Sequence, residues 1–597
     1  MIQSKSQHLV PELYEDDSPA DLLPKRPYLA AVRYIADRMG GVEAMFDQWG
    51  RVRTLTAVSN DGLFEQTLKA GDKPETFAER FLSSDEIVKA LGLRNCELEQ
   101  VDSVELSGLG TRVEFRQTVK VDGKIYPVRG GFVHVFVDGA GHIYQVNSTV
   151  RFGRKPQSVG RLITAAEAVV AARNELGFAS DVNHKAEFVF TAKNEKLYPV
   201  YEVTLTAEAP RRVVTVLVKA SNGNIVEVAN KLRGHKGKFG RIRLEPAKKT
   251  VDSGNGAGAA DGGKTAPGKV FLAIPDPKQP IDKQVHDAVL NALPDPTVLK
   301  NENCIIYLGS KKKEVKCKPD GSFMYSPKDP EFAAVVTFFA FQEQMALMRS
   351  WGLVAPERPI PVYVQDPAVR DNAYFDPENY EIHLGVGSGP MGLAKMIAYD
   401  LGVTWHENGH HIVFLQAPGK DLPGSEGGAI HESIGDVLGD LLMDFWFRHK
   451  YGKQLGHTLT AKDIEDDRRV IGKYAMPPDG IRIQKNTKKT PRDKTGEVHD
   501  DGLISGGAKA DLLVAMATKP GADMTKAFED FGRMTLAALA LVPSSQVTFQ
   551  DLLRAYLTAD KKLFNEANKA LIVKAFGDHG IVLKSAENGS SLVLTRF

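Results

Sequence analysis

The chain has 597 residues, more than a single hydrophobic core supports, so roughly three to five compact units of about 100 to 200 residues each are expected. Hydrophobic residues make up 42% and charged residues 25%, the balance of a soluble globular protein. Its 76 basic residues are offset by 75 acidic ones for a formal net charge of +1, and the lysine runs at Lys311 to Lys313 and Lys485 to Lys489 read as short solvated loops, so no nucleic-acid partner is expected.

No stretch reaches the roughly 18 to 20 consecutive apolar residues that span a bilayer, so no membrane span is expected. The opening "MIQSKSQHLVPELYEDDSPADLL" lacks the charged and apolar regions of a secretory signal; taken literally the chain is cytosolic, unless a leader was removed or export uses another route. Three cysteines cannot build a disulfide framework. Cys304 and Cys317 flank "IIYLGSKKKEVK", a candidate hairpin, and are either one bridge or two free thiols.

In chain order, the first patterns are strands. "TRVEFRQTVKV" and "GGFVHVFVDGAGHIYQVNSTVRF" alternate apolar with polar residues around a "DGAGH" turn, which predicts antiparallel hairpins over 111–152. "TAAEAVVAARNEL" has helical spacing behind a Thr cap, and "LYPVYEVTLTA" with "RRVVTVLVKASNGNIVEVANKL" returns to strands. The stretch 251–268, "VDSGNGAGAADGGKTAPG", cannot bury enough apolar surface to order itself and is expected to be a flexible, protease-accessible linker. Residues 269–390 mix short strands with one long helix, "DPEFAAVVTFFAFQEQMALMRSWGL", and helices dominate from 391 onward. The fold class is therefore α+β, with a β-rich lobe followed by a helical lobe and a cleft between them.

Residues 404–414, "TWHENGHHIVF", place His406, Glu407 and His410 in the order H-E-x-x-H. Four residues apart on a helix, His406 and His410 share a face and can present ring nitrogens to one ion, while His411 points elsewhere. Glu407 is placed to act as general base on a metal-bound water. The plainer alternative is a helix with a solvated polar face. Further on, "EGGAIHESIGDVLGDLLMDFWF" reads as a helix opened by Ser425, with Ile430, Ile434, Val437, Leu438, Leu441 and Phe445 in one arc and Glu432, Asp436 and Asp440 opposite. That acidic face is either wet or in contact. Gly428, Gly435 and Gly439 lie toward it, and each mid-helix glycine costs on the order of 1 kcal/mol against alanine, so another backbone is expected to come close there. Glu432 then completes the metal site, and Asp436 one turn on accepts the other ring N–H of a ligand histidine.

"HENGH" followed by "GGAIHESIGD" resembles the thermolysin-like metallopeptidases, gluzincins whose third zinc ligand is a glutamate on the next helix. The resemblance extends over most of the chain. "DNAYFDPENYEIHLGVGSG" is similar to the family's edge strand, which makes Asn372 and Ala373 the substrate-backbone residues. "GEVHDDGLISGGAKADLL" resembles its valine–histidine segment and "DGIRIQKN" its arginine loop, which implies that His499 and Arg482 stabilise the oxyanion. Val403 and Ile481 match positions lining the apolar pocket beyond the scissile bond. The end, "VTFQDLLRAYLTADKKLFNEANKALIVKAFGDHGI", is similar to the family's C-terminus. The upstream half resembles its two-part propeptide. The implied organisation is a fungalysin/thermolysin-type propeptide over 1–155, a PepSY-like segment over 156–240, a linker and processing region over 241–268, a β-rich catalytic lobe over 269–405 and a helical catalytic lobe over 406–597.

The resemblance implies a zinc endopeptidase made as a zymogen, with peptide substrate and its own propeptide as partners, cutting before bulky apolar residues. The sequence departs from the family at several points. Pro423 stands where a tyrosine assists the oxyanion, and Asp493, the implied partner of His499, is six residues before it instead of five. Gly402 and Met443 stand where calcium-binding acids belong, although Asp400 and Asp444 are close by, so calcium is left open. Two other readings stand beside the endopeptidase: a weak or inactive zinc-binding homologue, motivated by Pro423, and a zinc aminopeptidase, whose ligand gap is usually shorter.

Overall fold

The computed structural model describes residues 26–47, 51–151, 160–193, 196–208, 211–230, 264–276, 278–387, 397–456, 460, 463–464, 470–475, 480–583 and 591–594. Of the expected linker, 251–263 lie outside these residues.

The alternating segments of the N-terminal half form strands as expected, joined by helices α1 (Arg26–Met39), α2 (Pro74–Leu82) and α3 (Asp85–Ala90). The strands are β1 (Val42–Phe46), β2 (Val52–Ala57), β3 (Glu97–Leu106), β4 (Gly110–Val121), β5 (Lys124–Val137) and β6 (Ile143–Ser148). After helix α4 (Ala165–Leu176) come β7 (Asn183–Lys193), β8 (Lys196–Glu208), β9 (Arg211–Lys219) and β10 (Ile225–Asn230). Thr164 caps α4 in a reciprocal box with Glu167, the pairing that satisfies two otherwise orphaned N–H groups. Together with the C-terminal strand β20 (Ser591–Leu594) they make an 11-stranded sheet whose main path runs β10-β9-β8-β7-β5-β6-β2-β1-β20. Four separate clusters of buried side chains lie on it among the described residues, the two largest around Leu55, Phe81 and Val135 and, beneath α4, around Val203 and Val216.

Residues 264–268, expected in the linker, instead belong to β11 (Lys264–Val270), which pairs with β12 (His286–Leu293). Backbone pairing orders a stretch whose small side chains give little burial of their own. A five-stranded sheet follows, in the order β14-β13-β15-β17-β16, from β13 (Cys304–Leu308), β14 (Lys313–Glu314), β15 (Ile360–Arg370), β16 (Ala373–Asp376) and β17 (Glu381–Val386). The buried helix α5 (Pro330–Ser350) packs on it. Cys304 and Cys317 flank the β13–β14 hairpin as free thiols.

The helical part begins at α6 (Leu401–Gln416), five residues before position 406. It continues through α7 (Ser425–Asp436), a π-helical turn over Val437–Leu442 and α8 (Met443–Leu455). The two-residue strands β18 (Val470–Ile471) and β19 (Arg482–Ile483) precede α9 (Val498–Thr518), α10 (Met524–Leu541), α11 (Phe549–Phe564) and α12 (Lys569–Asp578). Strand β20 (Ser591–Leu594) returns to pair with β1. One continuous core joins the five-stranded sheet to these helices, from Ile306 and Phe338 to Trp405, Ile434 and Leu513. Ser425 is the first residue of α7 and not its cap; Gly424 takes that place, with φ 101°, because the chain there runs close against Gln546.

The N-terminal sheet docks on the helical part largely through side chains that reach main-chain carbonyls. The Arg53 guanidinium donates to Ser545 O (2.6 Å) and Gln546 O (2.7 Å) and pairs with Asp551 at 3.0 Å. Gln145 and Asn147 both donate to Leu541 O, and Arg112 donates to Gln416 O.

Candidate metal centre

The site is made by two helices that touch backbone to backbone. A Cβ added at Gly435 would lie 2.7 Å from the His406 ring, one at Gly439 would lie 2.4 Å from Gly402 O, and one at Gly409 would lie 2.9 Å from the Gly435 Cα. Real side chains do not fit at such distances, so these glycines are what allows α6 and α7 to cross here. On the other side of α7, Gly502 of α9 has room for a Cβ only 3.0 Å from Ala429 O. Helix α7 is thus enclosed, and its acidic face is buried, not wet: Glu432, Asp436 and Asp440 are at most 3% exposed.

His406 and His410 bring their Nε2 atoms to 3.0 Å from each other. Glu432 Oε2 is 3.5 Å from His406 Nε2, and Glu432 Oε1 is 3.7 Å from His410 Nε2. Two atoms that each bind one zinc at about 2.0 to 2.2 Å lie no more than about 4.4 Å apart, and all these separations fall inside that limit. Among the described residues this buried trio is the one group of His, Cys, Asp or Glu that can hold a metal ion. Next to it, both carboxylate oxygens of the fully buried Glu407 have no hydrogen-bond partner among the described residues, an arrangement that needs a ligand or a proton.

The electrostatics follow from this crowding. Burial alone would lower the His406 imidazolium, but Asp436 and Glu432 outweigh it and raise the pKa to about 9. Burial, with help from Glu432, pushes Glu407 up to about 8. Burial also works against the charged forms of Glu432 and Asp436. His410, His499 and His406 nevertheless hold Glu432 well below the usual carboxylate range, and Arg482 and His406 bring Asp436 down to about 2.

Around the donors, Asp436 Oδ1 lies 2.9 Å from His406 Nδ1 and is bracketed by Arg482, whose Nε donates to Oδ2 at 2.8 Å and whose Nη2 donates to Oδ1 at 2.5 Å. Arg482 Nη2 is also 3.6 Å from Glu432 Oε2. His499, at the start of α9, brings Nε2 to 3.4 Å from Glu432 Oε2. His411 turns away, bonding Tyr380 Oη and Asn408 Oδ1, and burial lowers its pKa to about 3.

The expected pairing of His499 with Asp493 is corrected: the carboxylate on His499 Nδ1 is Glu497, at 2.6 Å. Glu497 is also the N-cap of α9, accepting from the N–H groups of His499 and Asp500, so one side chain starts the helix and holds the imidazole. Asp493 is committed elsewhere, to the Arg492 guanidinium and the Lys489 N–H. Asn372 directly precedes β16, which lies at the edge of its sheet and begins at Ala373; the Asn372 Oδ1 is buried without a hydrogen-bond partner among the described residues. Val403 is buried in the first turn of α6, and Ile481 packs over Gly472 beside Arg482.

The acids near the expected calcium positions are occupied by protein groups. Asp400 caps α6 and accepts from the N–H groups of Tyr474 and Ala475, Asp444 pairs with Arg448 at 3.0 Å, and Asp440 lies 3.8 Å from Lys473 Nζ. Gly402 has the Gly439 backbone where a longer side chain would go.

Sequence reasoning missed four residues besides Glu497. His431 Nδ1 is 2.7 Å from His410 Nδ1. With the lone pair of His410 Nε2 turned toward an ion, its proton sits on Nδ1 and His431 accepts it. Gln484 donates to Asp436 Oδ2 at 2.7 Å. Ser433 and the fully buried Lys509 lie behind Glu432, with Lys509 Nζ donating to Ser433 Oγ at 2.6 Å.

No protein-family model matches the chain, and no curated protein matches it. Among solved structures, the Bacillus megaterium YpeB C-terminal domain is similar over 35% of this chain and 99% of that one, at 10% identity and a TM-score of 0.18. At that score no conclusion about this chain follows. No helix among the described residues is long and apolar enough to cross a membrane.

Proposed function

We propose that this chain is a zinc-dependent endopeptidase of the thermolysin type, made as a zymogen and cleaving before bulky apolar residues. The observation that carries the reading is the convergence of three buried donor atoms, from His406, His410 and Glu432, beside the unpartnered carboxylate of Glu407. The donor set, two imidazoles and one carboxylate, suits zinc with a position left for water. Zinc bound there supplies Lewis acidity toward the scissile carbonyl and makes its water a nucleophile near neutral pH.

The protein groups do the rest. Glu407 takes the proton of the attacking water and hands it to the leaving amine. His499, oriented by Glu497, and Arg482, fixed by Asp436, face the negative charge that develops on the carbonyl oxygen. The substrate pairs as an added strand on β16, where Asn372 and the Ala373 backbone meet it. Val403 and Ile481 border the apolar side chain that follows the cut. Residues upstream of 264 act as the propeptide, and processing falls within 241–268.

One observation favours a second reading, a weak or inactive zinc-binding homologue. At the loop before α7, Pro423 contributes its carbonyl to the Val547 N–H and has no hydroxyl to offer. Losing one oxyanion donor typically costs about 10² to 10³ in rate.

The deciding experiment is to purify the chain, measure its zinc content and follow casein digestion after cleavage within 241–268. Chelator-sensitive cleavage of internal peptide bonds, lost in Glu407→Gln with zinc retained, is the expected result. A zinc-loaded, processed chain that cuts nothing leaves the second reading, and a chain that takes up no zinc refutes both.

A further inference from the structure

Lysines are seldom fully buried, because removing an ammonium from water is costly without compensation. Lys509 is 0% exposed in the middle of α9, a position where methionine would fill similar space at no such cost. Its Nζ donates to Ser433 Oγ at 2.6 Å. Ser505 Oγ donates to the same oxygen at 2.8 Å, and Ser433 in turn donates to Ile430 O at 2.8 Å. The Ser433 hydroxyl is therefore saturated, with two donors in and one acceptor out. Ser433 directly follows Glu432, and burial lowers the Lys509 pKa to about 7 against the pull of Asp436.

We infer that Lys509 is a positioning residue of the metal centre: by gripping Ser433 it fixes the turn of α7 that carries Glu432. The inference rests on the metal-binding reading above. Lys509 touches neither ion nor substrate. Its effect passes through Ser433 to the seating of Glu432. Supporting groups of this kind are typically worth about 10 to 100-fold in metal affinity. Ser433 ties α7 to α9 at the seam where Gly502 and Gly506 of α9 come against Ala429, Glu432 and Ser433.

The test uses the full chain, stripped of metal and titrated with Zn²⁺ against a chromophoric chelator, together with the visible spectrum of the Co²⁺-loaded form. Lys509→Met is expected to weaken Zn²⁺ binding about tenfold or more and to change the Co²⁺ d–d bands. Ser433→Ala, which keeps the lysine and removes the grip, is expected to weaken it by a similar factor with a spectral change of the same kind. A folded Lys509→Met with parental affinity and an unaltered Co²⁺ spectrum overturns the inference. If Lys509→Met does not fold, Ser433→Ala decides in the same way. A parent chain that binds neither ion defeats the metal reading itself, which is a different result from a parent that binds and a variant that binds equally well.

Discussion

The closest test of how the site is built is Gly435→Ala. On an open helix this change stabilises by up to about 1 kcal/mol, because alanine loses less backbone entropy. Here the new Cβ would sit 2.7 Å from both Cε1 and Nδ1 of His406 and 3.0 Å from Cγ. Ordinary carbon contacts begin near about 3.5 Å, so roughly 0.8 Å must open between ring and helix. The ring has little freedom to yield. Its Nδ1 is held at 2.9 Å by Asp436, one residue along the same helix, and its Nε2 meets His410 at 3.0 Å. Overpacking of this kind costs about 1 to 3 kcal/mol, which cancels or exceeds the helical gain. Because the displaced groups are the proposed metal ligand His406 and its support Asp436, zinc affinity should fall about 10 to 100-fold. Gly577 of α12 is the control, since a Cβ there meets nothing within 4 Å; Gly577→Ala should stabilise by a few tenths to about 1 kcal/mol. Denaturant unfolding of the metal-free proteins and chelator competition measure the two effects. If Gly435→Ala stabilises as much as Gly577→Ala and binds zinc like the parent, the tight crossing of α6 and α7 is not what positions His406.

Zinc affinity should rise with pH, because the ion displaces a proton from His406, raised to about 9, and one from Glu407, raised to about 8. The gain should approach about 100-fold per unit below pH 8, fall to about tenfold between 8 and 9 and level off above, and calorimetry in two buffers of different ionisation enthalpy counts the protons. Glu497→Gln should lower peptide hydrolysis by about tenfold or more by loosening His499, whereas Asp493→Asn should leave it within about twofold; steady-state assays on one peptide separate them. Arg53→Met should destabilise by about 3 kcal/mol, because it leaves Asp551 buried without its cation, and limited proteolysis should then attack residues 26–151 first.

The donors were legible because helical periodicity is a local property. His406 and His410 share a face by spacing alone, and the glycines opposite the apolar arc of α7 marked where another backbone had to pass, which located Glu432 and Asp436. The hairpins of 111–152 and the Thr164 cap were equally local. What failed depended on loop paths. Asp493 and Glu497 both lie within six residues of His499, and nothing in spacing says which loop geometry turns a carboxylate toward the imidazole. A glutamate two residues before a histidine at a helix start was an available signal, since the same oxygens that accept the first N–H groups lie beside that ring. Lys509 gave no signal, because a buried lysine on a helix is spelled like a solvated one. His431 was passed over because sorting α7 into apolar and acidic arcs left no place for a neutral hydrogen-bond acceptor between them.

The charges at the site explain why its parts belong together. In the metal-free protein Glu432 and Asp436 are anions, while His406 and Glu407 each keep a proton near neutral pH. On the proposed reading, a divalent ion would bring two positive charges next to those two protons. Its exchange for both would leave the net charge of the buried cluster little changed, where any uncompensated charge is costly. The exchange has a chemical consequence. Glu407 cannot accept a proton from water while it holds its own, so on the proposed reading filling the three donors would also prepare the base beside them. Arg482 is the fixed cation of this arrangement, paired with Asp436 and 3.6 Å from Glu432 Oε2. A proton on Glu407 and an ion at His406, His410 and Glu432 would then be alternative occupants of one electrostatic site, and on the proposed reading that is why the base belongs at the position next to the first ligand.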